Sequence, residues 1–233
     1  MEIQDFKNIE QIQSWIDSQQ WYQKIELSNG LETPGKIDSS TRLPLIKKAK
    51  IKEQSVLDIG CNSGYYCLWA KKNGASRVVG IDIDEHRLKQ AEVISRIEQC
   101  EIEYYHKPIK DALKLGVFDT VFCFAVLTEI PDLLGSLEDI LALTGQKAFI
   151  EMAVARPLCY LSRSVSWLKS FIKKRYSKSV IEMRPIKQGG WALVPSMGAL
   201  RRIAGNNFKV SYLGKGTRYD MICIERISEK ESS

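Results

Sequence analysis

The sequence has only two histidines, His86 and His106, and no Cys-x-x-Cys pair among Cys61, Cys67, Cys100, Cys123, Cys159 and Cys223. Zinc sites need clustered Cys and His ligands, and the scattered cysteines, two of them in apolar runs (Cys123 and Cys223), read as small buried thiols. Neither a zinc site nor a disulfide framework is expected, and no metal ligand is assigned. No apolar run approaches the roughly 20 residues that cross a bilayer. The N-terminus, MEIQDFKNIEQ, lacks the apolar core of a secretory signal. A cytoplasmic protein without a transmembrane segment is expected. Internal repeats and low-complexity tracts are absent, which excludes solenoids and disordered scaffolds.

What is present is ordinary globular material. The chain has 233 residues, 44% of them hydrophobic, enough for one domain plus a short extension. The net charge of +6 is modest, but it is unevenly spread. Arg163, Lys169, Lys173, Lys174, Arg175 and Lys178 crowd into one stretch, with Arg201 and Arg202 beyond it. That concentration suits phosphate contact or a solvated helix face.

Phe6, Ile9, Ile12, Trp15 and Ile16 recur at helical spacing, which predicts an amphipathic helix over 6–20. Turn residues at Ser28-Asn-Gly30 and Thr33-Pro-Gly35 separate it from a second helical segment over 41–50, with Pro44 in its first turn. From Ser55 onward short apolar runs alternate with amphipathic stretches. Strands are predicted at 55–59, 77–81, 102–105, 118–124 and 146–154, and helices at 63–73, 84–99 and 132–143. Beyond these come a helix over 158–175, a break at Gly189-Gly190, a helix near 196–205, and a closing antiparallel hairpin from runs 208–213 and 219–226. The expectation is an α/β, Rossmann-like, doubly wound, mostly parallel seven-stranded sheet with an antiparallel C-terminal hairpin strand. The domain plan is an N-terminal helical extension (1–50), the main domain (51–227) carrying an insertion at 155–190, and a disordered tail (228–233).

In such sheets ligands bind beyond the carboxyl ends of the strands. Asp58-Ile-Gly60-Cys61-Asn62-Ser-Gly64 stands there after the first strand. Gly60 permits a tight turn and close ligand approach, and Asn62 is the non-glycine type best suited to positive φ. Asp82 closes the next strand, placed to accept hydrogen bonds from both ribose hydroxyls of an adenosyl group. The turn is not Gly-x-Gly-x-x-Gly, so a dinucleotide cofactor fits less well than an adenosyl cofactor without pyrophosphate.

Val56–Gly64 resembles the first motif of class I S-adenosylmethionine-dependent methyltransferases, and Gly80-Ile-Asp82-Ile83-Asp84 resembles their acidic second-strand motif. The resemblance implies an S-adenosyl-L-methionine pocket. In it Asp82, with Ile83 beside it, takes the ribose. Gly60, Cys61 and Gly64 lie under the methionine moiety, Asp58 and Asn62 of the same turn are further cofactor contacts, and Pro108 and Ile109 flank the adenine. Phe124 and Ala125, with Val126 after them, line the methyl-transfer channel. Three further segments resemble the branch that modifies the tRNA wobble uridine to 5-oxyacetate or methoxyuridine: Trp21–Gly35, Phe118–Leu127 and Trp191–Phe208. That branch usually ends its fourth strand Val-Leu-Tyr-His, whereas this chain has Val126-Leu127-Thr128-Glu129, which implies the ordinary cofactor and not its carboxy derivative.

Methyl transfer from a sulfonium is mainly positioning catalysis, and an oxygen acceptor gains from a base. Glu129 is the first candidate for that base; Glu151, for which pairing with Arg156 is the alternative role, and His106 follow. Two acceptors fit. A tRNA would meet Lys173, Lys174 and Arg175 interleaved with aromatics. A small molecule such as a sugar hydroxyl would instead be covered by the 158–178 helix as a lid. Tyr65, Arg156 and Trp191 complete the candidate substrate contacts.

Overall fold

The structure, a computed structural model, describes residues 6–155, 181–185 and 191–227. The main sheet follows the predicted alternation. It comprises β3 (Ser55–Ile59), β4 (Arg77–Asp82), β5 (Glu103–His106), β6 (Phe118–Phe124), β7 (Thr144–Met152), β10 (Phe208–Lys215) and β11 (Asp220–Arg226). The order is β10-β11-β7-β6-β3-β4-β5. The strands from β7 to β5 pair in parallel, and β11 and β10 are antiparallel. This is the expected seven-stranded, doubly wound sheet with its C-terminal hairpin.

Strand residues alternate between two apolar layers, as a sheet covered on both faces requires. Leu57, Ile59, Val79 and Ile81 pack with α5 (Ile109–Ala112), α6 (Leu133–Leu143) and α7 (Met197–Ala204). Val56, Val78, Phe122, Phe124 and Phe149 pack on the other face with α2 (Leu43–Ile46) and α3 (Tyr65–Lys72). The helix α4 (Glu85–Ile97) opens on Asp84, whose carboxylate accepts from the backbone N–H of His86 and Arg87. Asp132 caps α6 through Gly135 N in the same way.

Several boundaries shift. The helix after the glycine turn begins at Tyr65 because Gly64, at φ 85°, forms its N-cap. The N-terminal fifty residues are less helical than expected. The helix α1 (Ile9–Asp17) is followed by a parallel pair, β1 (Gln23–Lys24) with β2 (Ile37–Asp38). The segment expected as one helix over 41–50 breaks into a 3-10 turn (Ser39–Arg42), the single α-turn of α2 and a second 3-10 turn (Lys47–Ala49). Pro44 sits in the first turn of α2, where its missing N–H costs nothing. Ile16, Trp21, Ile25 and Leu27 pack this extension onto Leu68 of α3 and Ile94 of α4.

Sequence pattern alone gives no expectation of β8 (Ile181–Pro185) pairing antiparallel with β9 (Trp191–Pro195), yet the two form a separate ribbon. The expected helix over 158–175, the break at Gly189-Gly190 and the tail 228–233 lie outside the described residues.

Candidate active site

The strand order reverses between β3 and β6, and a cavity of about 530 Å³ opens there, at the carboxyl ends of the parallel strands. That volume falls in the roughly 300–1,000 Å³ range of small-ligand sites. Of the predicted cofactor contacts, Asp58, Gly60, Asn62, Asp82, Ile83, Pro108, Ile109, Phe124 and Ala125 line it, and Glu129 stands at its exposed rim. Cys61 and Gly64 do not line it. Cys61 turns into the core, where its sulfur fills the space beside Gly80, and Gly64 lies against Tyr104 and Ala91.

The turn between β3 and α3 is built on positive φ at Gly60 (71°) and Asn62 (53°). A Cβ on Gly60 would overlap the side chain of Val126, so glycine is required there for shape as well as for φ. Asp82 reaches back across this turn: Oδ2 accepts from Asn62 N at 2.8 Å and Oδ1 from Asp84 N at 2.9 Å. Both oxygens are thereby held in place, and each keeps a second lone pair for a ligand. Ala125 adopts φ 59° directly after β6, a conformation few non-glycine residues hold. Its N–H donates to Glu151 O at 2.9 Å, and Glu129 N donates to Val126 O at 2.9 Å. This tight turn sets Glu129 on the rim. Helix capping falls to Asp132, not to Glu129.

Asp58 is 2% exposed, and among the described residues its carboxylate accepts from the Cys67 thiol at 3.6 Å. Burial pushes its carboxyl up to about 8; the Cys67 thiol and Arg42 pull it down, and Asp82 pushes it further up.

The remaining wall comes from the N-terminal extension: Tyr22, Gln23, Ile37, Ser39 and Arg42. Arg42 donates from Nε to Glu151 Oε2 at 2.7 Å, makes a second short bond from Nη2 to the same oxygen, and donates from Nη1 to Tyr66 Oη at 3.0 Å. Glu151 Oε1 accepts from Arg218 N and Tyr219 N at 2.7 and 3.0 Å. Among the described residues the cation that neutralises Glu151 is Arg42, which bonds both Tyr66 of α3 and Glu151 of β7; the Arg156 considered from sequence lies outside the described residues. Tyr66 Oη donates to Ser39 O at 2.7 Å, and its ring packs on Phe124 with centroids 4.6 Å apart.

Tyr66, not Tyr65, lines the cavity; Tyr65 lines a smaller groove of about 260 Å³ beside Lys24, Trp69 and Lys72. The two are adjacent on a helix and so face about 100° apart, a difference that composition alone does not decide. His106 is exposed, its Nε2 at 2.9 Å from Ile83 O. Trp191 opens β9, while Arg156, Lys173, Lys174 and Arg175 lie outside the described residues. Among the described residues no His, Cys, Asp and Glu group could hold a metal, and no helix is long and apolar enough to cross a membrane.

The same fold recurs among solved structures. The N-terminal domain of EvdMO1, solved with S-adenosylhomocysteine bound, is 15% identical and superposes with a TM-score of 0.68 over 95% of this chain and 98% of that one. This is the fold of the adenosylmethionine-dependent methyltransferases. Magnesium protoporphyrin IX methyltransferase from Synechocystis PCC 6803 is 18% identical with a TM-score of 0.54, covering 81% of this chain and 80% of that one.

Residues 57–147 match the family model described as a methyltransferase domain. Ribosomal protein L11 methyltransferase from Burkholderia multivorans is 38% identical over 99 residues, 42% of this chain and 32% of that protein. The tRNA U34 carboxymethyltransferase of Shewanella frigidimarina is 42% identical over 79 residues, 33% of this chain and 24% of that protein. An uncharacterized protein of Haemophilus influenzae is 30% identical over 138 residues, 55% of this chain and 52% of that protein. The chain thus spans between a quarter and about half of the length of these curated relatives.

Proposed function

We propose that the protein transfers the methyl group of S-adenosylmethionine to an oxygen acceptor, and that the acceptor is a small hydroxyl-bearing molecule. The observation that carries the first part is the Asp82 carboxylate, pinned by two backbone N–H groups at the edge of a cavity that begins on the glycine turn. The residues fit the cofactor: Asp58 is a buried carboxyl with no cation bonded to it among the described residues, and it lies where an ammonium group would be complemented.

When bound, the cofactor supplies a sulfonium whose methyl carbon is already activated. The chain's work is to orient and to exclude water. Asp82 takes the ribose, Pro108 and Ile109 flank the adenine, and the Phe124–Val126 turn narrows the channel toward the acceptor. Glu129, on that turn, receives the acceptor's proton.

The rim on the acceptor side favours a small acceptor. Glu129 and Asp132, which follow the Phe124–Val126 turn, line the cavity there, whereas its lysines, Lys107 and Lys110, come from the segment after β5. Two carboxylates beside the turn oppose the approach of a phosphate backbone. The second reading, methylation of tRNA, is supported by the similarity to the tRNA U34 enzyme and by the basic run from Arg163 to Lys178. Incubating the protein with labelled adenosylmethionine and fractionated cell extract separates the two. Label in metabolites supports the first reading, and label in RNA the second.

Asp82→Ala is expected to weaken S-adenosylhomocysteine binding in calorimetry by roughly a hundredfold or more, the loss of two hydrogen bonds to a charged acceptor. Unchanged affinity would remove the cavity from consideration as the cofactor site. Glu129→Gln is expected to slow methyl incorporation by about 10² or more while leaving S-adenosylhomocysteine affinity within about twofold of wild type. A full-rate Gln variant would exclude it as the base.

A further inference from the structure

Among the described residues, one buried side-chain oxygen or nitrogen has no hydrogen-bond partner: Ser39 Oγ. The residue is fully buried, and it belongs to the cavity wall. Native proteins leave few such groups unpaired, and an orphan beside a ligand cavity points to a partner that arrives with the ligand. The rest of Ser39 is well fixed. Its carbonyl accepts from Tyr66 Oη at 2.7 Å, and its neighbours Asp38 and Arg42 bond to Ser40 and to Glu151.

Its position in the sheet decides which part of a ligand it meets. Along the carboxyl edge the cavity passes from Lys107–Ile109 after β5, to Asp82 after β4, to the glycine turn after β3, to Phe124–Val126 after β6. Ser39 is tied to Tyr66 on α3, and Arg42 to Glu151 on β7, so both lie at the end away from Asp82. Asp58, on β3 between the two ends, feels the charges of both Asp82 and Arg42. From Asp58 to this end the cavity therefore offers one carboxyl group, one unpaired hydroxyl and a guanidinium that commits three of its five N–H groups to Glu151 and Tyr66. Such a set complements a zwitterion, with the ammonium toward Asp58 and the carboxylate toward the hydroxyl and the guanidinium.

Given the cofactor reading above, on which this rests, we infer that Ser39 Oγ donates a hydrogen bond to the carboxylate at the amino-acid end of the bound cofactor, making Ser39 a cofactor-binding residue contributed by the N-terminal extension.

The test uses two ligands that differ only at this end: S-adenosylhomocysteine, and 5′-methylthioadenosine, which has no amino-acid group. Ser39→Ala is expected to weaken S-adenosylhomocysteine in calorimetry by about tenfold and to leave 5′-methylthioadenosine unchanged. The melting temperature of the unliganded variant is expected to equal or exceed that of wild type, because an unpaired buried hydroxyl has been removed; a purely structural serine would lower it. Equal losses for the two ligands, or no loss for either, would overturn the assignment. Wild-type protein that binds neither ligand would overturn the cofactor reading itself, a result legible before any variant is made.

Discussion

Replacing Glu151 by alanine is expected to lower the melting temperature by about 10 °C or more, the largest single-residue effect on stability in the cavity region. Glu151 is fully buried and Arg42 is 5% exposed. Removing the carboxylate strands a guanidinium in the interior and orphans the N–H groups of Arg218 and Tyr219. Breaking a buried pair in this way costs about 3–5 kcal/mol, and a chain of this size loses roughly 2–4 °C per kcal/mol.

Glu151→Gln serves as the control. It keeps the volume and one acceptor oxygen but leaves the Arg42 charge uncompensated, so most of the loss should persist. A Gln variant as stable as wild type would mean that shape, not charge, holds the pair. The loss should also reach the cavity. Arg42, Thr41 and Tyr22 join the extension to the C-terminal hairpin through Glu151, through the Thr41–Thr217 hydroxyl contact at 2.6 Å and through Arg218 over the Tyr22 ring. The wall carrying Ser39 depends on these ties, so S-adenosylhomocysteine affinity should fall together with stability.

That wall is also the part of the site least legible in the sequence. The sheet is legible because its central strands, such as Ser55–Ile59 and Phe118–Phe124, are short apolar runs bounded by turn residues, and because Val56 and Leu57 can serve opposite faces of one sheet. The glycine turn and Asp82 are legible because their chemistry is local: φ, close approach and a carboxylate at a strand end. Arg42 is not, since its partner is 109 residues away and nothing near Ser39–Arg42 marks that arginine as buried. Tyr65 stands in for Tyr66 in the sequence reading for a similar reason, because the contact that chooses between them is made with Phe124. The positive φ of Ala125 leaves no trace in composition, since the residue is held there by its bond to Glu151 O and not by its own preference. Features determined locally can be read from the chain, and features set by long-range pairing cannot.

Asp58→Asn is expected to stabilise the empty protein at alkaline pH and to cost it cofactor affinity. In the folded protein the Asp58 carboxyl titrates near 8, held up first by burial; in the unfolded chain it titrates near about 3.9. A raised carboxyl binds a proton in the native state that the unfolded chain has already lost, so stability falls as pH rises between about 4 and 8 and is level outside that window. From about pH 5 to pH 8 the ceiling is about 4 kcal/mol. The amide of the Asp58→Asn variant is neutral throughout and removes this slope. The gap in melting temperature between variant and wild type should therefore widen by several degrees across that range, with the variant the more stable at its alkaline end. A constant gap would mean that Asp58 is ionised in the empty protein at every pH.

The same proton links stability to function. A ligand ammonium beside Asp58 favours its ionised form, so cofactor binding at neutral pH should release a proton. Calorimetry in two buffers of different ionisation enthalpy would detect that release with wild type and not with the Asp58→Asn variant. The buried acid thus costs the empty protein stability and returns it as charge complementarity once the cofactor is bound.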